Sequence, residues 1–471
     1  MAPEALTFRR LDGATVELDR DLFEGRRLTP GDAGFEEATR IWNGLIDKEP
    51  TLVVQPEASA EVAAAVNLAR DHDLVISIKG GGHNIAGLAL ADGGLTLDMS
   101  RMRWVTVDRD QMLVRVGPGC LLGDVDRATQ QHGLATTLGF VSETGVAGLT
   151  LGGGFGYLTR RFGFTVDDLL EVEIVTADGR VRRANREQEP ELFWALRGGG
   201  ANFGVVTEFA YRLHEIGPEI VGGLMAWPAE RAPDVLGVYQ EMTASAPREL
   251  TLVSTMRLAP PAPFIPEAWH GKAMIGMIAC HTGDPAQAKS DLAPLEDLGE
   301  PIAAQIMPKT YVEQQSMLDA TQPKGANYYW KTEFIPGLSD GFLEAFIENA
   351  AGIESPMSQM IMFHLAGALQ EHAEDDGAVG NRDATFVTGA AGAWPAGFAD
   401  GDAVQSWARA SWERIRPFST GGNYINFQTA DDSTERIESS YRGNYQRLLA
   451  AKAEYDAGNL FRVNRNLSPS S

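Results

Sequence analysis

The run Ile78-Lys79-Gly80-Gly81-Gly82-His83-Asn84-Ile85-Ala86-Gly87 constrains this chain more than any other stretch. An apolar, strand-like segment, Leu74–Ile78, feeds directly into three consecutive glycines and a histidine. Without Cβ atoms, successive backbone N–H groups can turn toward one anion and approach it closely. The fold must therefore end a strand beside that loop, and ligands favour the carboxyl ends of strands in such sheets. A histidine at the edge of the cradle is placed for chemistry on whatever carries the anion. The alternative is a glycine-rich turn with an incidental surface histidine, and this segment alone leaves both readings open.

Two more glycine-rich segments follow, Thr144–Tyr157 and Leu192–Thr207. Neither fits GxGxxG with a following helix and a ribose-binding acid, and neither is a GxxxxGK[ST] loop, which disfavours a Rossmann site and a P-loop NTPase. Three cradles exceed what one phosphate needs. They suit a long ligand with a diphosphate and an extended ring system.

A chain of 471 residues is too long for one core and implies two or three domains. The net charge of −24 repels nucleic acid and anionic membranes, and argues against a polyanionic substrate. No apolar run approaches the roughly 18 residues of a membrane helix, and the N-terminus lacks signal-peptide features, so a cytoplasmic location is expected. Cys120 and Cys280 have neither disulfide-framework nor metal spacing and read as small buried residues; no metal site is expected. Only eight of the 40 basic residues are lysine. That fits a high-salt host or a GC-rich genome equally.

Thr51–Val54, a helix over Ala60–Arg70 capped by Ser59, and Val75–Ile78 form a β-α-β pattern. Further strands are expected at Leu95–Asp98, Leu113–Val116, Glu171–Thr176 and Val205–Leu213, with a helix from Leu122 to Gln131. From about 217 the texture changes. Strands at Ala273–Cys280 and Met360–His364 alternate with helices at Ala286–Leu295, Leu338–Gly352 and Ala403–Arg416, as in an antiparallel sheet with helices on one side.

Lys79–His83, Gly145–Gly156 with Arg160-Arg161-Phe162-Gly163, Val175–Gly179 and Phe193–Thr207 resemble the FAD-binding domain of the vanillyl-alcohol-oxidase (PCMH-type) superfamily. Gly422–Phe427, Tyr441–Tyr445 and Lys452–Asp456 with Asn459 and Phe461 are similar to the tail of its berberine-bridge-enzyme-like subgroup. The resemblance spans nearly the whole chain. It implies an α+β fold: an FAD-binding domain of two α+β subdomains over 1–216, a substrate domain with a helix-covered antiparallel sheet over 217–420, and a segment over 421–471 that returns to the FAD domain. It implies an extended FAD bonded to the imidazole of His83 through its 8α-methyl. The cofactor contacts it implies are Lys79, Gly80, Gly81, Gly82, Asn84 and Gly87; then Gly145, Gly148, Gly152, Gly153, Gly154, Gly156 and Tyr157; then Val205, Val206 and Asn464. Members with a second covalent link carry a cysteine four residues before the glycine matching Gly145. Val141 stands there, so a single link is expected. Thr144 matches the position that sets oxygen access, and a small β-branched residue favours an oxidase.

Flavin oxidation of a C–H needs a path for hydride and a base for the adjacent O–H or N–H. Tyr424, Asn426 and Gln428 alternate, as on one face of a strand. Tyr424 is the candidate base and Lys331 a cation that could lower its pKa. Asn426 and Gln428 could orient a polar substrate. The expected partners are a small molecule (alcohol, sugar or amine) and O2, with no nucleic acid or membrane. The competing functions are a dehydrogenase of the same fold, a flavin-binding protein without turnover, and a nucleotide-phosphate transferase with no flavin.

Overall fold

The computed structural model describes residues 5–469. Aliphatic strands Leu52–Val54, Leu95–Asp98 and Ile76–Lys79 lie parallel in a small sheet, with Arg27–Leu28 antiparallel on one edge. The later strand Leu95–Asp98 inserts between the other two, so the expected β-α-β unit skips one position. Helix Ser59–Asp71 buries Val62, Ala65, Val66 and Ala69. Its N-cap is Ala58 and not Ser59, whose hydroxyl donates instead to Glu173 at 2.6 Å. A carboxylate from the next sheet is the stronger acceptor.

That next sheet is antiparallel and five-stranded, ordered Val181–Asn185, Leu169–Val175, Val205–Arg212, Leu113–Val116, Val105–Asp108. Helix Leu122–Gln130 packs on it through Leu122 and Val125.

The third sheet is antiparallel and eight-stranded; its long strands are Glu219–Pro228, Leu250–Leu258, Ala273–His281, Asn327–Ile335, Gln359–His364 and Phe386–Trp394. Side chains alternate between its faces. Leu252, Met256, Met360 and Met362 share one core with residues of helices Ala232–Ser245, Asp340–Ala351 and Gly401–Ile415. Val253, Ile278, Ile361 and Phe363 point the other way and join Phe140, Phe155 and Tyr424. The sheet thus carries helices on one face and the rest of the molecule on the other.

After the third sheet the chain turns back. Ile425, Tyr441, Leu448, Ala451 and Leu467 enter the core under the five-stranded sheet. The fully buried Lys452 fixes this return: its ammonium donates to Asp456 at 2.6 Å, Asn202 O at 2.8 Å and Phe461 O at 2.9 Å. No helix among the described residues is long and apolar enough to cross a membrane.

Candidate active site

Strand Ile76–Lys79 delivers the glycine run to the boundary between the parallel sheet and the eight-stranded sheet. A Cβ built on Gly81 would lie 2.5 Å from the Gly145 nitrogen, and one on Gly145 would lie 2.3 Å from the Gly81 nitrogen. The first two glycine segments therefore run backbone against backbone, at a distance no side chain permits. His83 follows. Its imidazole stacks on the Trp42 indole with centroids 4.3 Å apart, and Trp42 stacks on Tyr328 at 3.6 Å. Trp42 is held by its own N–H on Gly82 O at 2.9 Å and by Nε1–H on Gln322 O at 3.0 Å. His83 Nε2 is shielded from solvent and has no partner among the described residues. Burial pushes the imidazole down to about 4, so it is neutral at physiological pH.

His83 lies on the wall of a cavity of about 500 Å³. One end is bounded by Gly200, Phe461 and Asn464, the other by the inward face of the eight-stranded sheet. The sheet end is walled by Trp330, Phe363, Phe427, Phe140 and Phe155. The chain carries 64 Asp and Glu, yet none of those described lines this cavity; its charged wall residues are Arg257, Lys309 and Arg465.

A model of the FAD binding domain matches residues 50–185, and one described as berberine and berberine like matches residues 423–468. The (R)-6-hydroxynicotine oxidase of Paenarthrobacter nicotinovorans is 30% identical over 454 residues, 95% of this chain and 97% of its own length. The chain belongs to the berberine-bridge-like family of FAD-linked oxidoreductases. The chitooligosaccharide oxidase of Gibberella zeae is 26% identical, with 93% of this chain and 91% of that protein covered. Among solved structures, 6-hydroxy-D-nicotine oxidase from Arthrobacter nicotinovorans superposes with a TM-score of 0.85 at 28% identity, covering 96% of this chain and all of that one (100%).

The cavity of this berberine-bridge-like protein fits the family's cofactor. Two buried polar atoms without protein partners, His83 Nε2 and Asn464 Oδ1, belong to wall residues. At Gly148 the space beside Cα is open, with no atom beyond its chain neighbours and its own helix backbone within 4 Å of a built Cβ. Gly80, Gly81, Gly82, Asn84, Gly145, Gly148, Thr144 and Val141 also line the wall. Cys120 does not. It sits buried against Trp104 O at 3.2 Å, and burial pushes its thiol up to about 12.

Several expected contacts do not reach the cavity. Lys79 turns inward to Asp98 at 3.1 Å, a buried pair that also holds Gln55. Gly87 closes a turn on Asn84 O. Gly152, Gly153, Gly154 and Gly156 are packing glycines: a Cβ would meet Asn426, Val379, Thr165 and Leu138 respectively, all within 3 Å. Tyr157 is buried between the two halves of the molecule, and Val205 and Val206 point into opposite cores.

The substrate-side expectation needs a larger correction. Ile425–Phe427 is a 3₁₀ turn and not a strand, so Tyr424, Asn426 and Gln428 do not share a face. Tyr424 and Asn426 line the cavity. Gln428 turns away and donates to Asn423 at 2.8 Å and Ser440 at 3.1 Å, pinning the returning segment. Lys331 is spent on Thr429, Asp431 and Asp432, at 2.7, 3.0 and 2.8 Å, and is no neighbour of the Tyr424 hydroxyl. That hydroxyl oxygen instead accepts from Gly154 N–H at 3.0 Å and from Asn426 Nδ2 at 2.8 Å. Burial pushes the phenol above its ordinary value despite both donors. Asp167 and Asp168 serve separate partners. The first receives Arg382 at 2.6 Å and the second His214 at 2.7 Å. Sequence reading missed Trp42, which carries no local motif, and Arg257.

Proposed function

We propose that this protein is an FAD-linked oxidase with its flavin covalently attached to His83, taking hydride from a C–H of a small alcohol, sugar or amine and passing the electrons to O2. The observation that carries this is the neutral His83 imidazole, unpartnered at Nε2, on the wall of a cavity between cofactor loops and a substrate sheet. A neutral imidazole is a competent nucleophile for such attachment. Val141 offers no thiol, so the link is single. FAD, when bound, supplies the hydride acceptor. The glycine loops hold it by close backbone approach, and Asn464 Oδ1 offers an acceptor at the far end.

Tyr424, in the fraction present as phenolate, is the proton acceptor in this reading. No described carboxylate lines the cavity, and Lys309, Arg257 and Arg465 are cations. The two N–H groups on the Tyr424 oxygen occupy its acceptor positions and stabilise charge there when its proton leaves. Asn426 thus orients Tyr424 and does not act as a base. The aromatic walls exclude water, which strengthens these hydrogen bonds. Thr144 lies on the cavity wall, and in this reading its small side chain suits oxygen access. Relatives with oxidase names, for a nicotine derivative and for chitooligosaccharides, support oxygen as acceptor.

Acid precipitation tests the attachment. Yellow colour should stay with the wild-type pellet and move to the supernatant for His83→Ala; colour retained in the His83→Ala pellet rejects the His83 link. Peroxide release during a donor screen, compared with anaerobic turnover on an artificial acceptor, separates oxidase from dehydrogenase.

A further inference from the structure

Most of the described buried cations are paired with acids. Lys79 meets Asp98, Lys331 meets Asp431 and Asp432, Lys452 meets Asp456, and Arg382 meets Asp167. Arg160 lacks an acid but uses its guanidinium on four backbone carbonyls and His364. Arg257 follows neither pattern. It is 9% exposed and lies on the cavity-facing side of strand Leu250–Leu258. Among the described residues its only bonds are long ones, Nε to Leu258 O at 3.3 Å and Nη2 to Pro356 O at 3.2 Å. No described carboxylate lies within 4.0 Å of it. Nη1 has no partner among the described residues. Burial disfavours its charge, and no neighbouring charge offsets that.

Its neighbours on the same face are donors too. Gln359 is paired directly across from Arg257, and Thr255 lies two residues along the strand. Thr255 Oγ1 donates to Gln359 Oε1 at 2.8 Å, which fixes the amide and leaves its NH₂ group, Nε2, without an acceptor among the described residues. Arg257 and Gln359, paired across neighbouring strands, thus each bring an uncommitted N–H donor to a wall with no described acid.

We propose that Arg257 and Gln359 anchor a carboxylate of the substrate, so that the oxidised donor is an apolar or aromatic acid. This rests on the flavin-oxidase reading of the same cavity. A carboxylate offers two coplanar oxygens to the two donors and restores charge balance to the buried guanidinium. It also explains why a chain of net charge −24 keeps acids off this wall. Gln359 and Phe363 lie on one strand, four residues or roughly 13 Å apart at 3.3 Å per residue. Phe363 abuts Phe155, which abuts Tyr424, with centroids at 5.5 and 4.8 Å. The carboxylate is therefore remote from the oxidised carbon, which excludes α-hydroxy and α-amino acids.

Calorimetric titration of the holoenzyme with 4-phenylbutyrate and with its neutral amide, 4-phenylbutyramide, tests this. The acid should bind at least tenfold tighter. Arg257→Gln should abolish that preference while amide affinity stays within about twofold. Gln359→Glu, which keeps Arg257 but sets a carboxylate beside it, should abolish it as well. Acid binding that is undetectable or no tighter than the amide's, or a preference that survives both substitutions, overturns the assignment. Flavin content, read from the visible spectrum of the same preparations, reports on the cofactor reading separately.

Discussion

Tyr424 is buried, yet its oxygen sits between a backbone N–H and the Asn426 amide. Burial dominates and raises the phenol above the usual value of about 10. Below that value the phenolate fraction grows about tenfold per pH unit. Wild-type kcat/KM should therefore climb steadily between pH 7 and pH 10. Tyr424→Phe should lower turnover roughly 10²–10⁴-fold, the range for losing a positioned general base, with flavin content intact and the pH slope gone. A flat wild-type profile would remove Tyr424 from the mechanism. Asn426 should show a smaller loss, since it steadies the oxygen and takes no proton.

At the scale of elements, the two glycine loops form a single object because they touch. Gly81→Ala sets a Cβ against backbone, which cannot swing aside as a flexible side chain can. Overpacking of this kind costs about 1–3 kcal/mol, so a lower melting temperature and poor flavin loading are expected together. Gly148→Ala meets open space and should leave the melting temperature of the flavin-free protein unchanged while impairing loading. If both variants melt normally, the backbone-to-backbone contact is unimportant. The loops were legible in sequence because runs of glycine beside an apolar strand act locally. The helices and strands of the second half were legible through their periodicity. The segment Tyr424–Gln428 was not: its alternation is real, but it forms a turn whose ends are tied to distant residues, Tyr424 to Gly154 and Gln428 to Ser440. Lys79 and Lys331 were misread for the same reason. Their acids lie 19 and about 100 residues away, and only the folded chain brings them together. Arg257 gave no signal at all, since a lone arginine in an apolar strand looks like an edge residue.

The whole molecule is an acidic shell held by arginine-rich ion pairs around an acid-free cavity. Asp376 and Asp431 resist protonation. Burial alone would raise both, but Arg197 on the first, and Tyr329, Thr429 and Lys331 on the second, hold them well below the carboxylate range. A carboxyl depressed in the folded state stabilises above its unfolded pKa of about 4 and loses that contribution as pH falls further. The melting temperature should be level from pH 7 to pH 5 and drop below pH 4. At fixed neutral pH, molar KCl should raise it if the −24 charge reflects salt adaptation; no gain would leave genome composition as the cause of the scarce lysine. The stack of Trp42 on His83 has one more effect, on light. A flavin tethered to that imidazole would have an indole, an easily oxidised ring, a single side chain away. Electron transfer from the indole would empty the excited state before it could emit. The protein would then be strongly yellow and almost without glow, and its cofactor shielded from its own photochemistry.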